Sequence, residues 1–287
     1  MMTRKRLALI LASFFLLAAT CVALPLLFDK TPRARVTFLN VGQGDAVLIQ
    51  TSGGQRVLID AGPDGSVGAE LARALPFWAD SLDAVIITHA HADHYGGLPT
   101  ILKRFKVGWL IYGQSSLTDG SVGAINEAAV SGGSRVGTVA TSKKMNVGHC
   151  LLELGGLPET QDRNDQSLVG RLKCDDESWM FLGDLSAEHQ SDLIRKHPDW
   201  RSDIVKISHH GSDDGLNEEL LKAVGAKYAV ISVGKENKFG HPSLRSLKKL
   251  ERLGVQVFRT DIGGAINVLV DKGKTVLNYA GKDLLIK

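Results

Sequence analysis

The sequence has few of the residues that mark several common classes of protein. Only three of its 287 residues are cysteine, and the spacing of positions 21, 150 and 174 is not that of a zinc finger. Aromatic residues make up 6% of the chain, which weighs against a small apolar ligand pocket. No low-complexity tract or internal repeat is visible. What is present is an ordinary globular composition, 44% hydrophobic and 23% charged.

One long stretch lacks charge altogether. Arg4, Lys5 and Arg6 precede Leu7 to Phe28, a run of 22 uncharged residues. A helix of that length spans about 33 Å, enough for the core of a bilayer. A basic start and an apolar run are also typical of a secretory signal, so cleavage and retention both stay open. Because the basic end stays in the cytoplasm, we expect the remaining chain to be extracytoplasmic, either secreted or anchored to the membrane.

The rest of the chain shows no internal linker. We therefore interpret residues 1–32 as a signal peptide or membrane anchor with a short linker, and residues 33–287 as one domain. In this domain apolar, β-prone runs alternate with segments of helical spacing, and hairpins lie between them. This alternation predicts a layered α/β structure with a mixed sheet.

The segment "ITHAHADHYGGL" follows one of the apolar runs and gathers four potential metal ligands within six residues: His89, His91, Asp93 and His94. A helix would scatter them, because positions two apart do not share a helical face. A tight loop at the end of a strand can gather them around one point. This arrangement indicates a metal site.

Three other strand ends carry residues of the same kind. Asp60 follows "QRVLI", Asp184 follows "SWMFLG", and His209 and His210 follow "SDIVKIS". A single Asp or His after a strand is usually a turn residue or a surface residue. Four such places in one chain predict a common site at one edge of the sheet.

These motifs resemble those of the metallo-β-lactamase superfamily, and the resemblance implies a four-layer αβ/βα sandwich with mixed sheets. Two divalent metal ions, Zn²⁺ or Mn²⁺, would activate a water at its edge. His89 and His91 would hold the first ion. The second would be held by Asp93, His94 and a histidine of the last motif, for which position after the strand favours His209. Asp184 would bridge both ions, and Asp60 would orient the ligand loop from behind.

The superfamily usually supplies a third histidine to the first metal, and here that position is open. His149 starts a strand, and we interpret it as structural. The expected place instead holds Asn164 and Asp165, for which we predict a supporting role beside the first metal. An oxygen ligand there would give the site a harder set of donor atoms, which favours Mn²⁺ as an alternative to Zn²⁺.

Further segments narrow the resemblance. "LNVGQGDAVLI", "NDQSLV", "LKAVGAKYAVISVGKENKFGHPS" and "FRTDIGGAI" together resemble the extracellular hydrolase domain of ComEC-type DNA-uptake proteins, from about Arg35 to Ala265. That family also has a membrane channel and a further N-terminal domain. With one candidate span in this sequence, we expect the hydrolase domain without a transport role.

Several residues near the motifs are candidates for catalysis or substrate binding. We place Asp93 among the catalytic residues, with His210 and His241 as possible proton donors. His210 can also be a ligand, and His241, in "GHPS", can equally precede a helix that Ser243 caps. Lys206 and Ser243 are candidates for substrate binding. From residue 201 onward the sequence has 15 Lys and Arg and 10 Asp and Glu. This basic excess is a weak signal that the protein binds a phosphate backbone.

Cys150 starts one strand and Cys174 ends the next. If the two strands form an antiparallel hairpin, these ends lie opposite each other, so the sulfurs can pair. Two buried thiols are the alternative.

Three functions fit these observations. The leading hypothesis is a metal-dependent phosphodiesterase that acts on extracellular DNA, since two metals serve in-line displacement at phosphorus. The second is hydrolysis of a small ester, lactone or β-lactam. The third is a catalytically weak module that binds a nucleic acid or another partner. No protein partner can be inferred.

Overall fold

A computed structural model describes residues 32–113, 120–156 and 162–287, together with residues 11, 13–15 and 20. The chain divides into two compact units, Met1–Pro32 and Arg33–Lys287. The predicted signal or anchor lies almost wholly outside the described residues and stays a prediction. Within the described part of the chain, no helix combines the length and the apolar character needed to cross a bilayer.

The first sheet of the second unit has nine strands in the order β16-β15-β14-β1-β2-β3-β4-β5-β6. Strands β3 to β6 run parallel, and the others pair antiparallel. The strands are β1 Ala34–Phe38, β2 Val47–Thr51, β3 Arg56–Ile59, β4 Ser81–Ile87, β5 Lys106–Gly113, β6 Arg135–Val139, β14 Ile266–Asp271, β15 Lys274–Tyr279 and β16 Lys282–Leu285.

The second sheet has seven strands in the order β13-β12-β11-β10-β9-β8-β7. Strands β10 to β13 run parallel, so their carboxyl ends lie at one edge. The strands are β7 Ser142–Val147, β8 Cys150–Gly155, β9 Val169–Cys174, β10 Glu177–Phe181, β11 Ile204–Lys206, β12 Tyr228–Ile231 and β13 Gln256–Arg259.

Helices connect the strands and cover the two outer faces. Those of the first half of the domain are α1 Ser66–Ala74, α2 Ala92–Tyr95, α3 Leu98–Arg104 and α4 Gly123–Ser131. Those of the second half are α5 Ala187–Lys196, α6 Glu218–Val224, α7 Leu244–Arg252 and α8 Thr260–Gly263. Two short 3₁₀ segments, Gly120–Val122 and Ser208–Gly211, complete the described elements.

Three apolar cores separate four layers. In β3, Val57 and Ile59 point into the core between the sheets, while Leu58 points to the core under α1 and α3. Alternate residues of a strand face opposite sides, so a strand that is buried on both sides has no polar positions. A third core packs α5, α6 and α7 on the outer face of the second sheet. The predicted four-layer αβ/βα sandwich is thus confirmed.

Strands β6 and β7 were not expected from the sequence, nor were β15 and β16. The edge strands β7 and β16 are mostly exposed and β6 is largely half-buried or exposed, so they lack the apolar alternation that marks a buried strand. Lys143 and Lys144 lie on the edge strand β7, where charge discourages pairing with another chain.

Cys150 and Cys174 form a disulfide that joins the start of β8 to the end of β9. The two strands pair antiparallel, with Leu151 opposite Lys173, so the predicted hairpin brings the two cysteines together. Both cysteines are buried in the core between the sheets. A disulfide at this place agrees with an oxidising compartment.

Reduction of this disulfide should destabilise the domain. The bond closes a loop with a sequence separation of 24, for which chain entropy gives a stabilisation of about 3 kcal/mol. Urea unfolding with and without a reductant should show that difference in the free energy of unfolding. The Cys150→Ser/Cys174→Ser double variant is the control, because its unfolding should not respond to the reductant. Equal stability of the oxidised and reduced protein would contradict this prediction.

Candidate metal centre

The centre lies where the parallel strands of the two sheets end. Asp60 follows β3, the histidine loop follows β4, Asp184 follows β10 and the two adjacent histidines follow β11. Carboxyl ends of parallel strands meet at one edge, where α/β proteins place their ligands. The topology therefore brings the four predicted strand ends together.

Asp60 holds the ligand loop from behind. Its Oδ1 accepts a hydrogen bond from the Thr88 backbone N–H at 2.8 Å, and its Oδ2 accepts one from the Thr88 hydroxyl at 2.9 Å. Oδ2 also lies 2.8 Å from His94 Nδ1. Asp60 has a left-handed backbone with φ 59°, which is uncommon for a residue other than glycine and is often found at functional sites. With Nδ1 engaged, His94 is left with Nε2 to bind a metal.

The second donor set contains four residues. Its donor atoms belong to Asp93, His94, Asp184 and His210, and all lie within 4.8 Å of one another. His94 Nε2 is 3.3 Å from Asp184 Oδ2, and His210 Nε2 is 3.2 Å from Asp93 Oδ2. His210 Nδ1 lies 2.9 Å from the Ser232 carbonyl oxygen, which fixes the tautomer and turns Nε2 to the centre.

The first donor set contains His89 and His91. His89 Nε2 lies 3.1 Å from His91 Nδ1 and 3.8 Å from Asp184 Oδ2. The same carboxylate oxygen therefore lies near ligands of both sets. This is the bridging position predicted for Asp184.

The two adjacent histidines differ in where their side chains lie. His210 is 2% exposed and faces Asp93, whereas His209 is 29% exposed and faces Asp214 at 3.5 Å. Both have left-handed backbones, φ 50° and 51°, in the turn Ser208–Gly211. The prediction that His209 is the ligand is therefore corrected to His210, because this turn sends the second ring inward.

The segment that lacks the third histidine supports the centre through a residue that was not predicted. Ser167 Oγ accepts a hydrogen bond from the Asp184 backbone N–H at 3.0 Å and lies 3.4 Å from His89 Nδ1. Asp165 instead accepts a hydrogen bond from the Ser186 backbone N–H at 2.9 Å and pairs with His189 at 3.1 Å. Ser167 is fully buried, and only its place before β9 could have indicated it.

The other two residues considered for the third position lie differently. Asn164 Oδ1 is buried and has no hydrogen-bond partner among the described residues. Its predicted supporting role stays a prediction. His149 lies 3.7 Å from Cys150 Sγ and 3.9 Å from Asp175, which agrees with the structural role that we expected for it.

Lys206 lies beneath the centre and not on a substrate surface. It is 2% exposed, it donates a hydrogen bond to Asp45, and its Nζ is 4.0 Å from Asp184 Oδ1. The prediction that it binds substrate is wrong, because its side chain is enclosed. A Cβ on Gly44 would come within 2.5 Å of the Asp93 carbonyl oxygen, so glycine allows this turn to reach the ligand loop.

His241 and Ser243 take different places in "GHPS". Ser243 caps α7, and its Oγ accepts a hydrogen bond from the Ser246 backbone N–H at 3.0 Å. This corrects the prediction that Ser243 binds substrate, since the hydroxyl has a structural partner. The ring centroid of His241 is 5.7 Å from that of His209, and its Nδ1 is buried without a hydrogen-bond partner in the described part of the chain.

Burial and charge act against each other within the centre. Burial would raise the pKa of Asp184, but the charges of His94 and His210 hold that pKa well below its usual range. Burial would lower the pKa of His94, but Asp184 and Asp60 raise it well above its usual range. The pKa of His89 lies well below its usual range because of burial and the neighbouring His94. Asp184 is therefore ionised at neutral pH, which is the form that binds a cation.

The residues fit a divalent cation. His94 Nε2 and Asp184 Oδ1 are buried and have no hydrogen-bond partner among the described residues. Buried polar atoms without partners are costly unless a ligand satisfies them. Imidazole suits zinc, and carboxylate oxygen suits harder ions such as manganese, so the mixed set accepts either.

Comparisons with known proteins place this chain beside one family and several relatives. The family model "Metallo-beta-lactamase superfamily" matches residues 39–117. ComE operon protein 3 of Bacillus subtilis (strain 168) is 29% identical over 268 residues, which cover 86% of this chain and 34% of that protein. Competence protein ComA of Neisseria gonorrhoeae is 25% identical over 242 residues, 84% of this chain and 33% of that protein. The chain thus spans about a third of the length of these relatives.

A solved structure shows the same fold. The metallo-beta-lactamase fold protein YhfI from Bacillus subtilis superposes with a TM-score of 0.56 at 16% identity. The match covers 79% of this chain and 95% of that one.

The geometry predicts two divalent ions per chain after loading with Zn²⁺ or Mn²⁺. His91→Ala should lose the ion of the first set and His210→Ala that of the second, because each removes an imidazole donor. His209→Ala, at the neighbouring position, is the matched control and should keep both ions. Elemental analysis of the desalted proteins measures the content. Loss of an ion in His209→Ala together with full content in His210→Ala would contradict the assignment.

Proposed function

This chain belongs to the metallo-β-lactamase superfamily and resembles ComEC-type competence proteins. We propose that it is a metal-dependent phosphodiesterase that cleaves DNA. The superfamily consists mainly of metal-dependent hydrolases, so hydrolysis is the general class of reaction. The choice of DNA as the substrate is the more specific part of the proposal. The site that supports it is the pair of donor sets that share Asp184.

One carboxylate lies between the two donor sets and would hold a cation on each side. Asp184 Oδ2 lies 3.3 Å from a donor of the second set and 3.8 Å from a donor of the first. When bound, two divalent cations neutralise a phosphate and lower the pKa of a water, the chemistry that an in-line displacement needs. The protein's part is to fix the ligands. Asp60 does this for His94 and Ser232 for His210.

The rim beside the centre has features that suit a nucleic acid. The exposed loop from residue 235 to residue 240 carries Lys235, Lys238 and Phe239, and the Phe239 side chain is 69% exposed. Phe239 and His241 stack at a centroid distance of 5.7 Å. An exposed ring in a loop with two lysines and one glutamate offers a base a stacking surface and the backbone a counter-charge. A small ester or lactam needs neither.

His241 is our candidate for the proton donor to the departing 3′ or 5′ oxygen. Its ring lies beside His209 at the rim, and among the described residues no group forms a hydrogen bond with its buried Nδ1. Burial and the charges of His209 and His210 lower its pKa, so it gives up a proton more readily than an ordinary histidine.

We also propose an extracytoplasmic location. The competence relatives support a place in DNA-uptake machinery, and the disulfide Cys150–Cys174 supports an oxidising compartment. The N-terminal segment would deliver the domain there, as a signal or as an anchor.

The proposal predicts cleavage of DNA by purified protein loaded with Mn²⁺ or Zn²⁺. Asp184→Asn should reduce the rate more than any single change at the rim, because it affects both donor sets. Single-stranded and double-stranded DNA and a chromogenic ester are the substrates to compare. Turnover of the ester with both DNA forms intact would overturn DNA as the substrate and leave the hydrolase assignment standing.

The proton-donor role predicts a pH-dependent defect in His241→Ala. General acid help contributes about 10²- to 10⁴-fold, so this variant should cleave slowly but measurably. Because His241 acts only when protonated and its pKa is lowered, its contribution should shrink as the pH rises. The ratio of wild-type to variant kcat, measured between about pH 5 and pH 8, should therefore fall. A ratio independent of pH would exclude the role.

A further inference from the structure

The loop between α1 and β4 holds two large rings out in solvent. Phe77 is 94% exposed and Trp78 is 68% exposed, and their rings meet edge to face at a centroid distance of 4.9 Å. We call residues 76–80 the aromatic tip. A contiguous exposed aromatic pair is uncommon on a monomeric protein and marks an interaction surface.

The tip is held in shape by its own backbone. The Ala79 backbone N–H donates to the Pro76 carbonyl at 2.9 Å, and the Lys106 backbone N–H donates to the Asp80 carbonyl at 2.8 Å. Leu75, directly before the tip, is buried in the core under α1. Anchors on both sides keep the rings from folding back onto the domain.

The topology puts the tip at the end of the sheet opposite to the metal centre. The tip precedes β4, whose other end leads into the ligand loop. Strand β1 is antiparallel to β2, and β2 to β3, so β1 runs in the direction of β3 and β4. The domain's first residue, Arg33, therefore lies at the same end of the sheet as the tip.

The sequence before Arg33 indicates which surface lies near the end of the sheet that carries the aromatic tip. The uncharged run Leu7–Phe28 ends five residues before strand β1. Five residues reach at most about 18 Å even when fully extended. A bilayer that accepts the run is thus within short reach of the end of the sheet that carries the tip.

Charged side chains around the tip are mainly basic. Lys106 is 84% exposed and Arg73 is 73% exposed, each near a single acidic partner, Asp80 and Glu70. The charged residues at this end of the sheet, on the nearby helix ends and paired with Arg33 include Arg33, Arg56, Glu70, Arg73, Asp80, Asp83, Lys103, Arg104, Lys106, Asp175, Asp271, Lys272 and Lys274. Basic residues outnumber acidic ones by eight to five in this set, which favours an anionic surface.

We propose that the aromatic tip inserts into the interface of a bilayer that contains anionic lipid, with the metal centre facing away from the membrane. Phe and Trp rings partition into the boundary between headgroups and acyl chains, and nearby Lys and Arg side chains contact the headgroups. The inference does not depend on the reaction that the metal centre carries out.

The test uses residues 33–287, a compact unit with its own three cores, so that the N-terminal run does not itself bind lipid. Sedimentation with vesicles of phosphatidylcholine, with and without a third of phosphatidylglycerol, measures binding. The domain should bind the anionic vesicles, and Phe77→Ser/Trp78→Ser should bind at least about tenfold more weakly, since two rings stay in water. Ile262→Ser, at an exposed apolar residue after β13 on the other end of the domain, should bind like the wild type.

Tryptophan fluorescence gives an independent readout. Emission should shift to the blue on addition of anionic vesicles, and Trp78→Phe should lose the shift, because Trp179 and Trp200 are buried. Trp109 is 37% exposed and its ring is covered by the cations of Arg135 and Lys143, so Trp109→Phe should keep the shift. Absence of vesicle binding by the wild type, or equal binding by the double variant, would overturn the proposal. So would concentration-dependent dimerisation that the double variant abolishes, since the tip would then serve a second copy of the chain. Unchanged circular dichroism and metal content in the variants exclude loss of folding as the cause.

Discussion

The Asp184 carboxylate is the interaction on which the rest of the site depends. It reaches from the second sheet to donors of the first, 3.8 Å from His89 and 3.3 Å from His94. This contact requires the carboxyl ends of β4 and β10 to face each other across the core between the sheets. The four-layer fold supplies that condition, so the fold and the proposed chemistry rest on the same packing of two sheets.

Keeping so many charges out of water is costly, and the structure offsets the cost by pairing. Lys206 is enclosed between Asp45 and Asp184, and burial, which would lower its pKa, is outweighed by those carboxylates, which raise it. Such buried pairs contribute little net stability, but loss of one partner leaves a charge unpaired. The left-handed backbones of Asp60 and His210 add local strain. These features fit a centre built for cations and held by the surrounding cores.

The sequence was sufficient for the fold and for most of the residues that the structure brings together at the candidate centre. Spacing identified His89, His91, Asp93 and His94, and position after a strand identified Asp60 and Asp184. The choice between His209 and His210 failed because both follow the same strand, and only the backbone of the turn decides which ring points inward. Ser167 and Asp45 were not assigned a role, since their contacts with residues of other strand ends follow no spacing in the sequence. Edge strands such as β7 were missed because exposed strands carry no apolar alternation.

The central claim is that two ions share Asp184, and anomalous diffraction from crystals of the Mn²⁺-loaded protein tests it most directly. The account predicts two anomalous peaks. One should lie among His89, His91 and Asp184, and the other among Asp93, His94, Asp184 and His210. A single peak, or a second ion bound by His209 and not by His210, would contradict it.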